Sequence, residues 1–391
     1  MGFWNGRLTF TRYRTSGPAP LPLGEELLEQ ARAHGIGSHG GGRGADGVAT
    51  GWAGGDHVLD TTIDYAKNVV DDALHLAIRI DADKLPGSLL RAYTQIEIEA
   101  RAQMNPSGIA TKAQRAEAKE AAKARLEAEA ADGRFERKSH TPILWDARGG
   151  VVYIGTTTNS VLDRAVALFR ETFDRPLEPI TAGELARSAA AAAGFDPDRA
   201  MAMLEGGPLR LVGSGEASSA VAWNENDPSS LDALGNEFLV WLWHRLQNDG
   251  ETLLLSDGSE ATLMLARTLT LDCPRGETGR DQLTDCSPAR LPEALRALQS
   301  GKLPRKAGLI LVRQGAQFEL TLQAETLAVS NASLPKPEGK QSPHDARITR
   351  LESLRHLSRT LDLVFEAYLT RRLSTHWNDE LGRIHRWLQA A

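Results

Sequence analysis

Four basic residues, Lys112, Arg115, Lys119 and Lys123, recur at three- and four-residue spacing through a run of Ala, Glu and Gln. In a helix that spacing places all four on one face, and a row of cations is what the phosphates of a nucleic-acid backbone require. Two further groups share this character: Arg134, Arg137 and Lys138, and the cluster Lys302, Arg305 and Lys306. Such contacts neutralise phosphates and release counterions without reading bases, so they need no recognition helix. The chain shows neither a helix-turn-helix nor a zinc-finger signature. The plainer alternative for the first group is a solvated helix laced by weak surface ion pairs with Glu117, Glu120 and Glu127, and residue pattern alone leaves it open.

Spacings that carry turnover chemistry are missing as convincing signals, whether a metalloprotease His-x-x-Glu-His, a Gly-x-Ser-x-Gly elbow or a zinc-type Cys/His cluster. Gly213-Ser-Gly215 lacks the strand-turn-helix setting of a nucleophile, and His376 reads as a surface or packing histidine. Cys273 and Cys286 are too few for a disulfide framework and lack metal-site companions. The glycine-rich loop from Gly40 to Val48 lacks the Lys-Ser/Thr of a phosphate-cradling P-loop. The expectation is therefore a protein without turnover, cofactor or metal. A site assembled from dispersed carboxylates leaves a nuclease-like enzyme as the alternative, and a scaffold that has lost DNA binding as another.

The elements that must position the cations come next. Residues 3–14 alternate as a strand, Leu23 to His34 has helical spacing, and Trp52 to Thr61 and Ala73 to Ile80 read as paired strands. Thr111 to Ala131 is a helix of strong helix formers whose only large aliphatic residue is Leu126, which predicts no apolar stripe. Val151 to Gly155 is a strand, and Asn159 or Ser160 caps the helix after it. Further on, Leu234 to Leu246 is apolar around most of its girth and predicts a buried helix. A second β region covers Glu251 to Leu255, Ala261 to Leu271, Leu309 to Arg313 and Gln317 to Leu322, with a compact basic turn at Lys302–Lys306. The end is a long helix whose Leu354, Leu357, Leu361, Val364 and Tyr368 form a coiled-coil-like seam, followed after Leu373 by a second helical run.

The order of these features resembles the bacterial recombination-associated RdgC family. The resemblance rests on Phe3-Trp4 leading into a strand with Arg12-Tyr13-Arg14, the Thr50-Gly-Trp52 step, and Leu85-Pro86 before a charged two-helix excursion. It continues with Gly133-Arg-Phe-Glu-Arg-Lys-Ser-His-Thr141 and an apolar strand ending at Trp145-Asp146, and it covers residues 1 to about 185. The family is known for ring-shaped homodimers that encircle duplex DNA without sequence preference and restrain the recombinase RecA. The resemblance implies these partners here, and places Phe135 at the subunit contact. Where the family has a basic segment, this chain reads Gly206-Gly-Pro-Leu-Arg-Leu-Val-Gly-Ser-Gly-Glu216, in which Arg210 is the one basic residue and joins the candidate DNA contacts.

Composition sets bounds on all of this. Hydrophobic residues at 41% and charged ones at 25% describe an ordinary globular chain, long enough at 391 residues for two or three domains. A net charge of −6 argues against polyanion binding by the whole surface and requires a localised basic lining. Neither a signal peptide nor a bilayer-length apolar run is visible, so a cytoplasmic protein with no membrane partner is expected, and the resemblance implies association with the nucleoid. The predicted fold class is α+β, with two mixed or antiparallel sheet layers, flanking helices and an inserted charged helical arm at about 88–133. The expected domains are 1–185, carrying the arm, and 186–391, ending in long amphipathic helices.

Overall fold

A computed structural model describes residues 2–17, 20–38, 44, 47–204, 231–274, 279–336 and 339–390. The chain begins β1 (Leu8–Thr15), α1 (Glu25–Ala33), β2 (Ala49–Ala53), α2 (Tyr65–Asn68), β3 (Val69–Val70) and β4 (Ala73–Asp83). Two long helices follow, α3 (Gly87–Gln103) and α4 (Lys112–Ala130), and then β5 (Glu136–Asp146) and β6 (Val151–Ile154). Next come α5 (Asn159–Phe173), β7 (Leu177–Pro179), α6 (Ala182–Ala192), α7 (Pro197–Leu204) and α8 (Leu234–Asn248). After β8 (Thr252–Leu254), β9 (Glu260–Asp272) and β10 (Arg280–Asp285) the chain forms α9 (Pro292–Gln299). It closes with β11 (Leu303–Arg313), β12 (Ala316–Gln323), β13 (Val329–Ser333), α10 (Pro343–Arg372) and α11 (Trp377–Ala390). The class is α+β, as expected.

Two compact units make up the chain. Unit 1 comprises Met1–Leu23, Val69–His75 and Pro142–Ala391; unit 2 comprises Gly24–Asn68 and Leu76–Thr141. The boundary expected near residue 185 falls inside unit 1, and β1 is the reason. One edge of β1 pairs with β13 (Leu8↔Ala332, Phe10↔Val329) and then β7, while the other pairs with β6 (Thr11↔Ile154 to Arg14↔Val151). Strands from both halves of the sequence thus lie in one antiparallel order, β10-β9-β11-β12-β13-β1-β6-β5.

Alternation divides this sheet of unit 1 into two faces. One face carries Phe10, Leu144, Tyr153, Leu269, Leu309, Leu320 and Val329 into the main core, covered by α8, α10 and α11. The opposite face carries Trp145, which α5 covers with Phe169 and Phe173 at ring separations of 5.1 and 5.4 Å. α8 is buried from Leu234 to His244, as its all-round apolar sequence predicts. Gly235 makes that burial possible, because a Cβ there would lie 1.8 Å from the Ala324 carbonyl oxygen.

The seam of α10 is filled by the chain itself. Phe238 of α8 meets Phe365 at 5.1 Å and Tyr368 at 5.6 Å. One buried arginine, Arg12, and one half-buried arginine, Arg355, anchor the helix on its polar side. Arg12 Nη1 donates to Ser358 Oγ at 2.8 Å and Asp362 Oδ1 at 2.7 Å. Arg355 grips Asp146 through two bonds of 2.7 and 3.1 Å and also donates to Asp72. Burial alone would raise the Asp72 carboxyl, but the hydrogen bond and charge of Arg355 outweigh it and hold the group below the usual carboxylate range.

In unit 2, β2 pairs antiparallel with β4 from Ala49↔Asp81 to Ala53↔Ala77. The strand expected over Trp52–Thr61 is shorter and earlier. It stops at Ala53 because the chain turns at Gly55 (φ 99°), with the Gly54 amide donating to the Asp60 carbonyl and Asn68 Nδ2 donating to the Gly54 carbonyl at 2.7 Å. The arm is the antiparallel pair α3 and α4, which pack chiefly on each other. Thr111 caps α4 with its side chain while Gln114 reaches back to the Thr111 amide, a capping box. Asn105 and Gln114 exchange amide bonds of 2.7 and 3.1 Å across the connecting turn. The expectation of no apolar stripe on α4 is corrected by Ala118, Ala122, Leu126 and Ala130, all buried at four-residue spacing. Small residues let two helices approach closely, so a stripe of alanines serves where large aliphatics are absent.

Candidate nucleic-acid interface

On the arm, Lys112, Arg115, Lys119 and Lys123 are all exposed along α4. Lys123 pairs with Glu127 at 3.5 Å, whereas the other three have no acidic partner among the described residues. α4 holds five basic and four acidic residues, so the basic face arises from sorting rather than from excess charge. The other side of the arm is tied by Tyr93, whose hydroxyl donates to Glu129 at 3.0 Å, with the Arg125 guanidinium 4.2 Å over its ring.

At the foot of the arm, Arg134, Arg137 and Lys138 are exposed. Arg134 is committed to Asp132 through a fork whose shortest bond is 2.6 Å, and Lys138 pairs with Glu136 at 3.4 Å. Only Arg137 of the three has no acidic partner among the described residues. Phe135 is half-buried here, its carbonyl accepting from the Lys84 amide at 3.1 Å. The arm's exposed apolar side chains lie elsewhere, at Ile96, Met104 and Ile109. Arg210 lies outside the described residues.

The Lys302 group belongs to unit 1 and is not a turn. Leu303 to Lys306 opens β11, because Leu303↔Asp272 and Lys306↔Thr270 extend its pairing with β9. Lys302 is 8% exposed and bound to Asp281 at 2.7 Å, which removes it from the candidate phosphate contacts. Arg305 is held by Glu325 at 3.2 Å and Asp272 at 3.5 Å. Lys306 is exposed and has no acidic partner among the described residues.

Arg305 and Lys306 line a trough of about 760 Å³. Cross-strand partners share a face, so the register sets Gln282, Thr270, Lys306 and Gln323 in one row across four strands. Thr268, Thr321 and Ser330 lie beside it, with Gly308 between Thr268 and Thr321. The wall is the amino end of α5, Thr157 to Ser160. Thr158, rather than Asn159 or Ser160, is the N-cap residue; its side chain makes no capping bond, and the first turn holds no acidic residue. No carboxylate and no large apolar side chain is among the lining residues.

Arg280, which nothing in the sequence singles out, lines the same trough while bound to Asp272 Oδ2 at 3.0 Å. A single arginine in a polar stretch carries no local signal, and only the β9–β10 register brings it there. Among the described residues no group of three or more His, Cys, Asp or Glu is arranged to hold a metal ion, and no helix is long and apolar enough to cross a membrane. No protein-family model matches the chain, and no curated protein matches it either.

Proposed function

We propose that this protein binds duplex DNA through the sugar-phosphate backbone without reading sequence, as a homodimeric ring associated with the nucleoid, and thereby limits the access of a RecA-type recombinase. The observation that carries the reading is the sorted face of α4, where Lys112, Arg115 and Lys119 are exposed and unpaired among the described residues. Cations already spent on carboxylates gain little from a phosphate, whereas unpaired ones release counterions in full. The resemblance of the motif order to the RdgC family suggests the ring and the recombinase, and the lack of convincing catalytic spacings in the sequence suggests a protein without turnover.

The test is retention of labelled duplex across a salt series, with and without magnesium. Each lost phosphate contact lowers the log–log salt slope by about 0.9, so replacing Lys112, Arg115 and Lys119 together by Ala lowers it by up to ~2.7, equally for all sequences. Cleavage of the duplex would instead assign a nuclease, and no retention a scaffold. An unchanged slope in the triple variant would remove the arm from the interface.

A further inference from the structure

The trough of unit 1 has properties that backbone contacts on the arm do not use. Its volume of about 760 Å³ falls within the usual range of small-molecule sites, roughly 300–1,000 Å³. Its walls offer hydroxyls, amides and cations alone, which suits a hydrophilic, anionic ligand and no apolar one. We propose that this trough is a phosphate-binding site, centred on Lys306 and Thr270.

Three independent features converge on that pair. Lys306 and Thr270 are register partners on neighbouring strands, so an ammonium and a hydroxyl stand side by side in the middle of the floor. Thr270 is only 8% exposed, yet its hydroxyl makes no hydrogen bond to any described residue. Thr270 lines the trough, and a hydroxyl that opens on a cavity without a protein partner is a donor available to a ligand. The amino end of the fifteen-residue α5 forms the wall, bringing the positive end of a helix dipole to the same space. Arg280 and Arg305 flank this centre and share one oxygen of Asp272, at 3.0 and 3.5 Å. The shared chemistry is a phosphate group, carried either by a small phosphorylated molecule or by a single nucleic-acid strand.

The experiment is calorimetric titration of the full chain with inorganic phosphate, adenosine monophosphate and a short oligothymidylate. Phosphate binding is expected in the wild type. Lys306→Met, at an exposed position that keeps the side-chain stem, should weaken it about tenfold, and Thr270→Val, nearly isosteric, several-fold. The triple arm variant should bind phosphate as the wild type does, so failure of the duplex reading and failure of this one are separable. Tighter binding of the mononucleotide than of phosphate identifies the small molecule as the source. A further gain with the oligothymidylate, steep in salt, identifies the strand. The proposal is overturned if none of the probes binds, if both trough variants bind like the wild type, or if the arm variant alone loses binding.

Discussion

Replacing Arg355 by Met tests how α10 is held to its sheet. The guanidinium is 14% exposed and bridges Asp146, 4% exposed, and Asp72, 11% exposed. Removing it leaves two carboxylates in a site that water scarcely reaches. Asp146 keeps one backbone bond, from the Gly149 amide at 3.2 Å, and Asp72 keeps Arg148. Breaking a buried pair on one side costs about 3–5 kcal/mol, mostly because the remaining charge stays uncompensated. At ~2.1 cal/mol/K per residue and ~280 residues in unit 1, that corresponds to a fall in Tm of about 5–8 °C. Urea denaturation followed by circular dichroism measures the loss, and adding Asp146→Asn to Arg355→Met should recover part of it. The acid limb gives a second readout. The folded Asp72 carboxyl lies below its unfolded value of about 3.9, so its contribution is complete above that pH and disappears as pH falls through the lower folded value. In Arg355→Met this acid-dependent loss should shrink. A cost below about 1 kcal/mol, or a double variant no more stable than the single one, would refute the argument.

Three further outcomes follow from the same physics. Glu237→Gln should destabilise unit 1 by about 3–5 kcal/mol, since Glu237 Oε1 accepts from Arg372 at 2.7 Å and Tyr368 at 2.6 Å with all three buried; a chemical-denaturation midpoint close to wild type would contradict it. Gly235→Ala should cost at least about 1–3 kcal/mol, because the new methyl meets the Ala324 backbone rather than a yielding side chain; Tm within a degree of wild type would show that α8 can shift. Burial holds the His244 and His356 imidazoles below their ordinary value, so the unfolded chain takes up protons first as pH falls below about 6.5. Stability should therefore decline from pH 7 towards 5.5, and His356→Leu should flatten that decline in a series of melts.

Local periodicity made much of this protein legible. Spacing of three and four residues announced α4 and its basic face, the α10 seam and the buried girth of α8, because a helix forms every backbone bond within its own segment. Periodicity alone specifies which side chains share a helix face. It could not say what each face meets: the alanines of α4 form a seam only because α3 lies alongside. Sheet partnership was decided by the tertiary structure. β1 joins β13 across more than 300 residues of sequence, and no local pattern encodes such a pairing. β10 and β13 are short and largely polar, so neither alternates strongly enough to be recognised as a strand. The fate of the charges followed from that pairing. Lys302 and Lys306 lie four residues apart in one basic cluster, yet one is buried against Asp281 while the other stands open beside Thr270. A cation's availability depends on which carboxylates the fold brings within reach, and that is a property of register, which only the assembled sheet specifies.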